Sequence, residues 1–469
     1  MLSNKMKVLI IVASVLLALI IGLGAFFIFA NPTKNKKGKS ETSTAISGGA
    51  TGDSMFVYNN GSKKKNNNSA TESGKGELQN NSSKKQKITV ESVPAESSEA
   101  QSTQSTASKP EKIKYIKYNF KHLANTYSCL TKDKRLSVAF LGGSVTDGTG
   151  ATNPREDGWP RLVCNTLAGI YNAKVEERRQ SIGGTGSYFG AFRYTTDIGS
   201  AARQQPDLLF IEFAINDFYN GESYDDVVKN DESLVRKAYS LNPKMDIVFV
   251  LTFDELRKNE DYEQLSAHKA VAEKYGLLCI NLREILGPTI DFKSYYSDGV
   301  HPNTDGYQMY ANVINDALLS CMPSPDKGIA KPTVKDKVLP KAMCDYYKNP
   351  SLVQSYDIKL TSSKNWEYSI SDFSYLGRKY GGKIMASKKG AKLVIKFKGD
   401  SFGLVYEGGT KFGKADVSVD GTKVLELNGK LDYSNPRIVR VPISKKGEHT
   451  VTVTLTEDKD FAIAAYLYN

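Results

Sequence analysis

Hydrophobic positions divide the chain into four stretches of different pattern. Residues 8–30, VLIIVASVLLALIIGLGAFFIFA, are uncharged and almost wholly apolar. A helix of that length crosses the roughly 30 Å hydrocarbon core of a bilayer. The run is long for the apolar region of a cleaved signal, and Ile28-Phe29-Ala30 is a poor small-x-small cleavage site. The pattern therefore predicts an uncleaved N-terminal signal anchor, a transmembrane helix within residues 1–30, in preference to a cleaved signal. Residues 31–112 lose all periodicity. They are rich in Ser, Thr, Asn, Lys and Gly with almost no aromatics. Such a segment buries too little apolar surface to offset chain entropy and is expected to be a disordered tether, with a typical span of roughly 50 Å.

Beyond residue 112 the pattern becomes globular. Apolar runs at 137–141, 207–213 (DLLFIEF), 246–251 (DIVFVL) and 277–281 (LLCIN) read as buried strands, with a short further strand near 174–177. Between them, 158–171, 223–241 and 261–276 show helical apolar spacing, and a last helix follows residue 303. This alternation predicts an α/β domain over residues 113–325, a three-layer parallel sheet flanked by helices. Sites in such folds gather outside the carboxyl ends of the strands. After a linker at 326–345, residues 346–469 switch to period-two alternation in short runs such as KLVIKFKG, SFGLVYEGG and HTVTVTLTE, broken by Gly and Asp. That region is expected to form an all-β sandwich. Trp366, Tyr368, Tyr375 and Tyr406 are its candidate sugar-stacking aromatics, with core packing as the alternative for each.

Charge changes the picture little. The 469 residues carry a net charge of +12, of which the tether holds +5 and Lys5 and Lys7 hold +2, leaving +5 on residues 113–469. This is no nucleic-acid footprint on a folded domain. A basic tether suits anionic wall polymers or headgroups, or serves as a solvated linker. Lys34, Lys36, Lys37 and Lys39 follow the apolar span; by the positive-inside bias they favour a cytoplasmic chain, whereas the long polar spacer favours an extracellular one. The expectation is a single-pass cell-membrane protein with its globular part outside. Five widely spaced cysteines, Cys129, Cys164, Cys279, Cys321 and Cys344, form no C-x-x-C motif and no zinc spacing; they are expected to be core thiols.

Candidate chemistry sits after the strands. The first is followed by FLGGSVTDG with Ser144, the second by QSIGGTGS, the third by AIND with Asn216. SDGVHP with Asp298 and His301 precedes the last helix. Ser144 is a candidate nucleophile, His301 its base, and Asp298 the acceptor that holds the imidazole tautomer. The N–H of Ser144, a backbone N–H in the 183–186 turn and the Asn216 amide are candidate oxyanion donors. His122, His268 and His449 show no ligand spacing, and the chemistry needs no cofactor or metal. His268, among Lys and Glu in a helix, is expected to face solvent; Glu212 and Asp217 flank Asn216 and are expected by default to be solvated, with fixing of its loop as the alternative. Trp159, Tyr188 and Phe189 are candidates for a sugar-stacking face, or for packing a helix on the sheet.

These four stretches, in this order, resemble the blocks of the SGNH (GDSL-type) hydrolase family over roughly residues 135–320. The resemblance implies Ser144, Asp298 and His301 as the catalytic set, and Ser144, Gly184 and Asn216 as the oxyanion donors. Gly143 replaces the Asp usual before the serine, Ala214 replaces the Gly usual two before the Asn, and Arg179 stands where the second block usually begins with Asn. The Gly-Gly-Ser form resembles branches that deacetylate carbohydrates more than lipases. It implies a serine esterase removing short acyl, chiefly acetyl, groups from a glycan or cell-wall polymer. The alternatives are an O-acyltransferase using the same residues, or a glycan-binding protein with a non-catalytic hydrolase-like domain. The C-terminal region resembles jelly-roll modules appended to carbohydrate-active enzymes, which implies a glycan-binding module, with buttressing of the hydrolase domain as the alternative.

The anchor-and-tether reading gives a direct expectation. Protease added to intact cells should release the globular part by cutting in the tether, where backbone is accessible. Protection that is lost only on lysis would place the globular part in the cytoplasm.

Overall fold

The computed structural model describes residues 122–328, 332–360, 362–369 and 382–469. The predicted anchor and tether and Tyr375 lie outside the described residues. Among the described residues no helix is long and apolar enough to cross a membrane. All of them belong to one compact unit.

Five strands form a wholly parallel sheet in the order β2-β1-β3-β4-β5. They are β1 (Arg135–Gly142), β2 (Lys174–Ser181), β3 (Leu208–Glu212), β4 (Asp246–Leu251) and β5 (Leu278–Asn281). β3 and β4 are buried at every position, because helices cover both faces of the sheet; that is why their sequences are continuous apolar runs. On one face, α1 (Trp159–Tyr171) and, later in the chain, a helix at Thr304–Cys321 pack Trp159, Val163, Leu167, Tyr307 and Tyr310 onto Val138, Phe140 and Phe210. On the other, α2 (Ser187–Asp197), α4 (Tyr224–Leu241) and α5 (Glu263–Tyr275) cover Ala139, Leu141, Leu209 and Ile211. A short α3 (Ala214–Tyr219) follows β3, and the Thr304–Cys321 helix is α6. β2 runs to Ser181, beyond the expected 174–177. Its sequence KVEERRQS is polar because it is a half-buried edge strand, and such a strand shows no apolar run.

The register sets the site. Gly142, the last residue of β1, pairs with Ser181 on one side and Glu212 on the other. Three strands thus end level, and the turns after them emerge side by side.

The described residues from 351 to the end of the chain form two antiparallel sheets around a core of their own. One contains β13 (Asn435–Val441), β10 (Phe402–Gly408), β15 (Phe461–Tyr468), β8 (Lys383–Ala386) and β7 (Glu367–Ser369), with β6 (Ser351–Gln354) also on β15; the other is β12 (Thr422–Asn428), β11 (Lys414–Val419), β14 (Gly447–Leu455) and β9 (Lys392–Gly399). The outer face of the first sheet is not solvated. Val405, Ala464, Ala465 and Leu467 join the α/β core beside Tyr188 and Phe192 of α2. β10 and most of β15 are therefore buried on both faces, which accounts for runs such as FAIAAYLY with little alternation. A polar clamp reinforces the junction. Arg440 of β13 donates to Glu222 Oε1 at 2.8 Å and lies over the Tyr188 ring at 4.0 Å. The segment before β6 is laced to α4, where the Glu232 carboxylate accepts the N–H of Met343 at 2.8 Å and of Cys344 at 3.0 Å.

Several expectations are corrected here. Trp159 and Phe189 lie in the core and Tyr188 packs in the junction between the domains, so they form no exposed stacking face. Trp366 and Tyr406 are buried in the sandwich, whereas Tyr368 is exposed. All five cysteines are free thiols, three of them buried and two half-buried.

Candidate active site

Ser144 begins a one-turn helix (Ser144–Asp147) directly after β1. Its carrier turn is fixed from below by Glu212, the last residue of β3. That buried carboxylate accepts Thr146 Oγ1 at 2.8 Å, Thr252 Oγ1 at 2.7 Å and the backbone N–H groups of Gly143 and Thr146. Burial raises the Glu212 pKa, against the lowering by these donors. Glu212 is therefore an internal anchor, not a solvated residue; the loop it fixes is the serine turn. From the side, Arg179 donates to the carbonyls of Asp147 and Pro154 at 3.0 and 2.6 Å.

His301 arrives from the opposite end of the domain sequence. Its Nε2 is 2.8 Å from Ser144 Oγ, across 157 residues. Its Nδ1 is 2.8 Å from Asp298 Oδ2, while Asp298 Oδ1 accepts the N–H of Val300 and of His301, each at 2.7 Å. The loop after Ser144 is sewn to this segment. Tyr307 donates to the Thr149 carbonyl at 2.7 Å, and Thr152 N–H to Thr304 Oγ1 at 2.9 Å. Gly150 has φ +97°, and a Cβ there would stand 2.5 Å from the Pro302 carbonyl oxygen, so glycine is needed for the two loops to touch.

The remaining predicted residues lie on the same rim. Asn216 is buried at the start of α3, against Gly143; a Cβ on Gly143 would stand 2.7 Å from Asn216 Oδ1. In the second turn it is Gly183 that faces the serine, with a would-be Cβ 3.6 Å from Ser144 Cβ. Gly184 occupies the left-handed position, φ +72°, and looks toward Asn435 of β13.

Two corrections concern the wall behind Asn216. His268 does not face solvent: it is fully buried, with Nδ1 2.5 Å from Asp231 Oδ2 and Nε2 3.0 Å from Asp217 Oδ2. Burial alone would lower its pKa, but the two carboxylates outweigh that and push it up to about 10. Asp217 is equally buried, and its Oδ1 accepts the Ser187 N–H at 2.7 Å. The charged neighbours of His268 in sequence masked its fate; its spacing from Leu265, Val271 and Ala272, all buried, was the available signal that it lies on the inner face of α5.

A serine, histidine and aspartate in hydrogen-bonded sequence, with an asparagine and a glycine turn beside them at the carboxyl edge of a parallel sheet, define an SGNH-type serine hydrolase domain. Residues 140–309 match the GDSL-like Lipase/Acylhydrolase family model, a match that supports a carboxylic ester hydrolase. No curated protein matches the chain. Among solved structures, a two-domain esterase (CEX) active on acetylated mannans is 22% identical, with a TM-score of 0.63 over 74% of this chain and 95% of that one. The same esterase co-crystallised with mannopentaose gives 22% identity and a TM-score of 0.62 over 74% and 94%. A variant of Axe2, an acetyl xylan esterase from Geobacillus stearothermophilus, is 20% identical, with a TM-score of 0.33 over 39% of this chain and 94% of that one. The likeness to the two-domain esterase extends the shared fold over both the α/β and the β region.

The hydrogen bonds around Asp298 generate a titration prediction. Partial burial raises its pKa, but the His301 ring and the two N–H donors prevail and lower it to about 2. A depressed carboxylate stabilises the folded state above its unfolded value of about 3.9 and loses that contribution only as pH falls toward about 2. Carboxyl NMR should show Asp298 titrating near pH 2 in the native protein, and at a higher pH in His301→Ala. A native value in the ordinary range would contradict the bonded geometry.

Proposed function

We propose that the chain is a cell-surface esterase that removes short acyl groups, chiefly acetyl, from a glycan or cell-wall polymer. Ser144 Oγ attacks the acyl carbon as its proton passes to His301 Nε2. Asp298 holds the imidazole in the tautomer that receives it and stabilises the cation formed. The oxyanion of the tetrahedral intermediate is taken up by the N–H of Ser144, a backbone N–H of the Gly183–Gly184 turn and the Asn216 amide. Collapse breaks the ester bond; His301 gives its proton to the departing sugar oxygen, which leaves as the free hydroxyl, and an acyl-Ser144 ester remains. Water, deprotonated by His301, then releases the carboxylic acid and regenerates the serine.

The observation that carries this reading is the relay of two 2.8 Å contacts joining Ser144, His301 and Asp298. An acylated glycan as substrate is supported by the two-domain esterase active on acetylated mannans, whose fold spans the same two regions. A short acyl group is supported by the loop chemistry. GGSVTDGTGATN and GGTGS are small and polar, and the nearby aromatics are spent on internal packing. A fatty chain would find little apolar wall, where each buried methylene contributes about 0.8 kcal/mol. Selectivity then rests on steric exclusion. Surface location rests on the apolar span at 8–30 and the polar stretch behind it.

Two measurements follow. Ser144→Ala and His301→Ala should each lower kcat/KM on aryl acetates by roughly 10³-fold or more, in line with loss of a member of such a unit, with the unfolding transition preserved. Substantial turnover by folded Ser144→Ala would overturn the mechanism. On a chain-length series of nitrophenyl esters, kcat/KM should fall from acetyl to butyryl to octanoyl. A profile rising to eight carbons would replace the deacetylase reading with a lipase or thioesterase, and acyl groups recovered on an added sugar rather than as free acid would indicate transfer.

A further inference from the structure

Three fully buried ionisable side chains sit behind the rim and take no part in the proton relay. Asp217 lies in α3 next to Asn216, Asp231 in the middle of α4 and His268 in α5. His268 bridges the two carboxylates through its two ring nitrogens, at 2.5 Å to Asp231 and 3.0 Å to Asp217. The outer oxygen of Asp217 is committed elsewhere: it accepts the Ser187 N–H at 2.7 Å. A Cβ at Gly186 would stand 2.0 Å from that oxygen, so the carboxylate is wedged against the backbone of the turn containing Gly183 and Gly184. Ser187 is held from its other end too, with its Oγ accepting Asn230 Nδ2 at 3.0 Å.

We infer that His268 is a positioning residue for the oxyanion side of the site: clamped between Asp231 and Asp217, it fixes the one carboxylate that ties the turn before α2 to the helix carrying Asn216. Both elements that flank Ser144 on this side, the Gly183–Ser187 turn and the start of α3, are joined through Asp217. A buried carboxylate keeps a fixed direction only if its charge is met. His268 meets it while being locked itself by Asp231. A neutral amide of similar size brings a single nitrogen and no positive charge between the two carboxylates, and leaves a carboxylate uncompensated in the core. Asp217 then has reason to turn, and the donors that must meet an oxyanion move with it. Displacements of that kind are costly because oxyanion donors act through preorganised geometry.

The inference rests on the ester-hydrolase reading for its catalytic half, and Ser144→Ala tests that reading alone because it leaves the His268 cluster untouched. His268→Gln is the direct test, with two readouts. Amide exchange at Ser187, which can be followed whether or not an ester is turned over, should accelerate at least several-fold. On an aryl acetate, kcat should fall about 10- to 100-fold, the scale of a small misplacement of reacting groups, with KM little changed. Asp231→Asn, which keeps the His268–Asp217 contact, should show the same two effects in weaker form and serves if His268→Gln does not fold. Unchanged Ser187 exchange in the folded variant would overturn the clamp. Faster exchange with unchanged kcat, or a rise in KM alone, would reduce His268 to a purely structural role and overturn the inference.

Discussion

The parallel pairing of β1 with β2 and β3 at a common end point governs the rest of the molecule. Gly142 meets Ser181 and Glu212 at the same level, and its carbonyl accepts the Ile182 N–H at 3.1 Å and the buried Arg193 guanidinium at 3.1 Å. A slip of one residue in either ladder would turn the side chains of that strand to the opposite face. It would bury the Ser144 turn or separate it from Asn216. With the ladders in register, three turns emerge together and the loop of Asp298 and His301 closes over them.

What holds those turns is buried charge. Glu212 supports the serine turn, Arg193 the end of β1, and the Asp217–His268–Asp231 cluster the second turn. Such groups are expensive to bury and persist only when their charges are paired. Rigidity gained this way suits ester hydrolysis, where donors must be in place before charge develops. The β domain continues the scheme. Arg440 reaches Glu222, whose carboxylate also receives Asn230 Nδ2 at 3.3 Å, and Asn230 in turn holds Ser187. One polar chain therefore runs from β13 to the turn beside Ser144. Together with the shared apolar core, it makes the second domain a buttress of the hydrolase domain.

Much of this was legible in the sequence. Buried parallel strands write themselves as apolar runs, and the motifs after them name Ser144, Asn216, Asp298 and His301 because their chemistry demands those residue types. What escaped the sequence has physical reasons. β2 is a polar edge strand, so half of it carries no apolar signal. The fate of His268, Glu212 and Asp217 depends on partners far along the chain; a local reading sees charged residues among charged residues and assigns them to solvent. Tyr188 reads locally as available for a sugar ring because nothing near it in sequence reveals that β10 and β15 lie across it. Which glycine of the Gly183-Gly184 pair faces the serine is set by a left-handed φ that a Gly-Gly pair leaves open.

The central claim is that one chemical centre, Ser144 activated by His301, performs the ester chemistry. Labelling with a fluorophosphonate, followed by peptide mass spectrometry and residual esterase assays, tests it most directly. One adduct should appear on the peptide containing Ser144, activity should vanish in proportion to labelling, and His301→Ala should label far more slowly. Esterase activity that survives complete labelling of Ser144, or inactivation through an adduct on another residue, would contradict it.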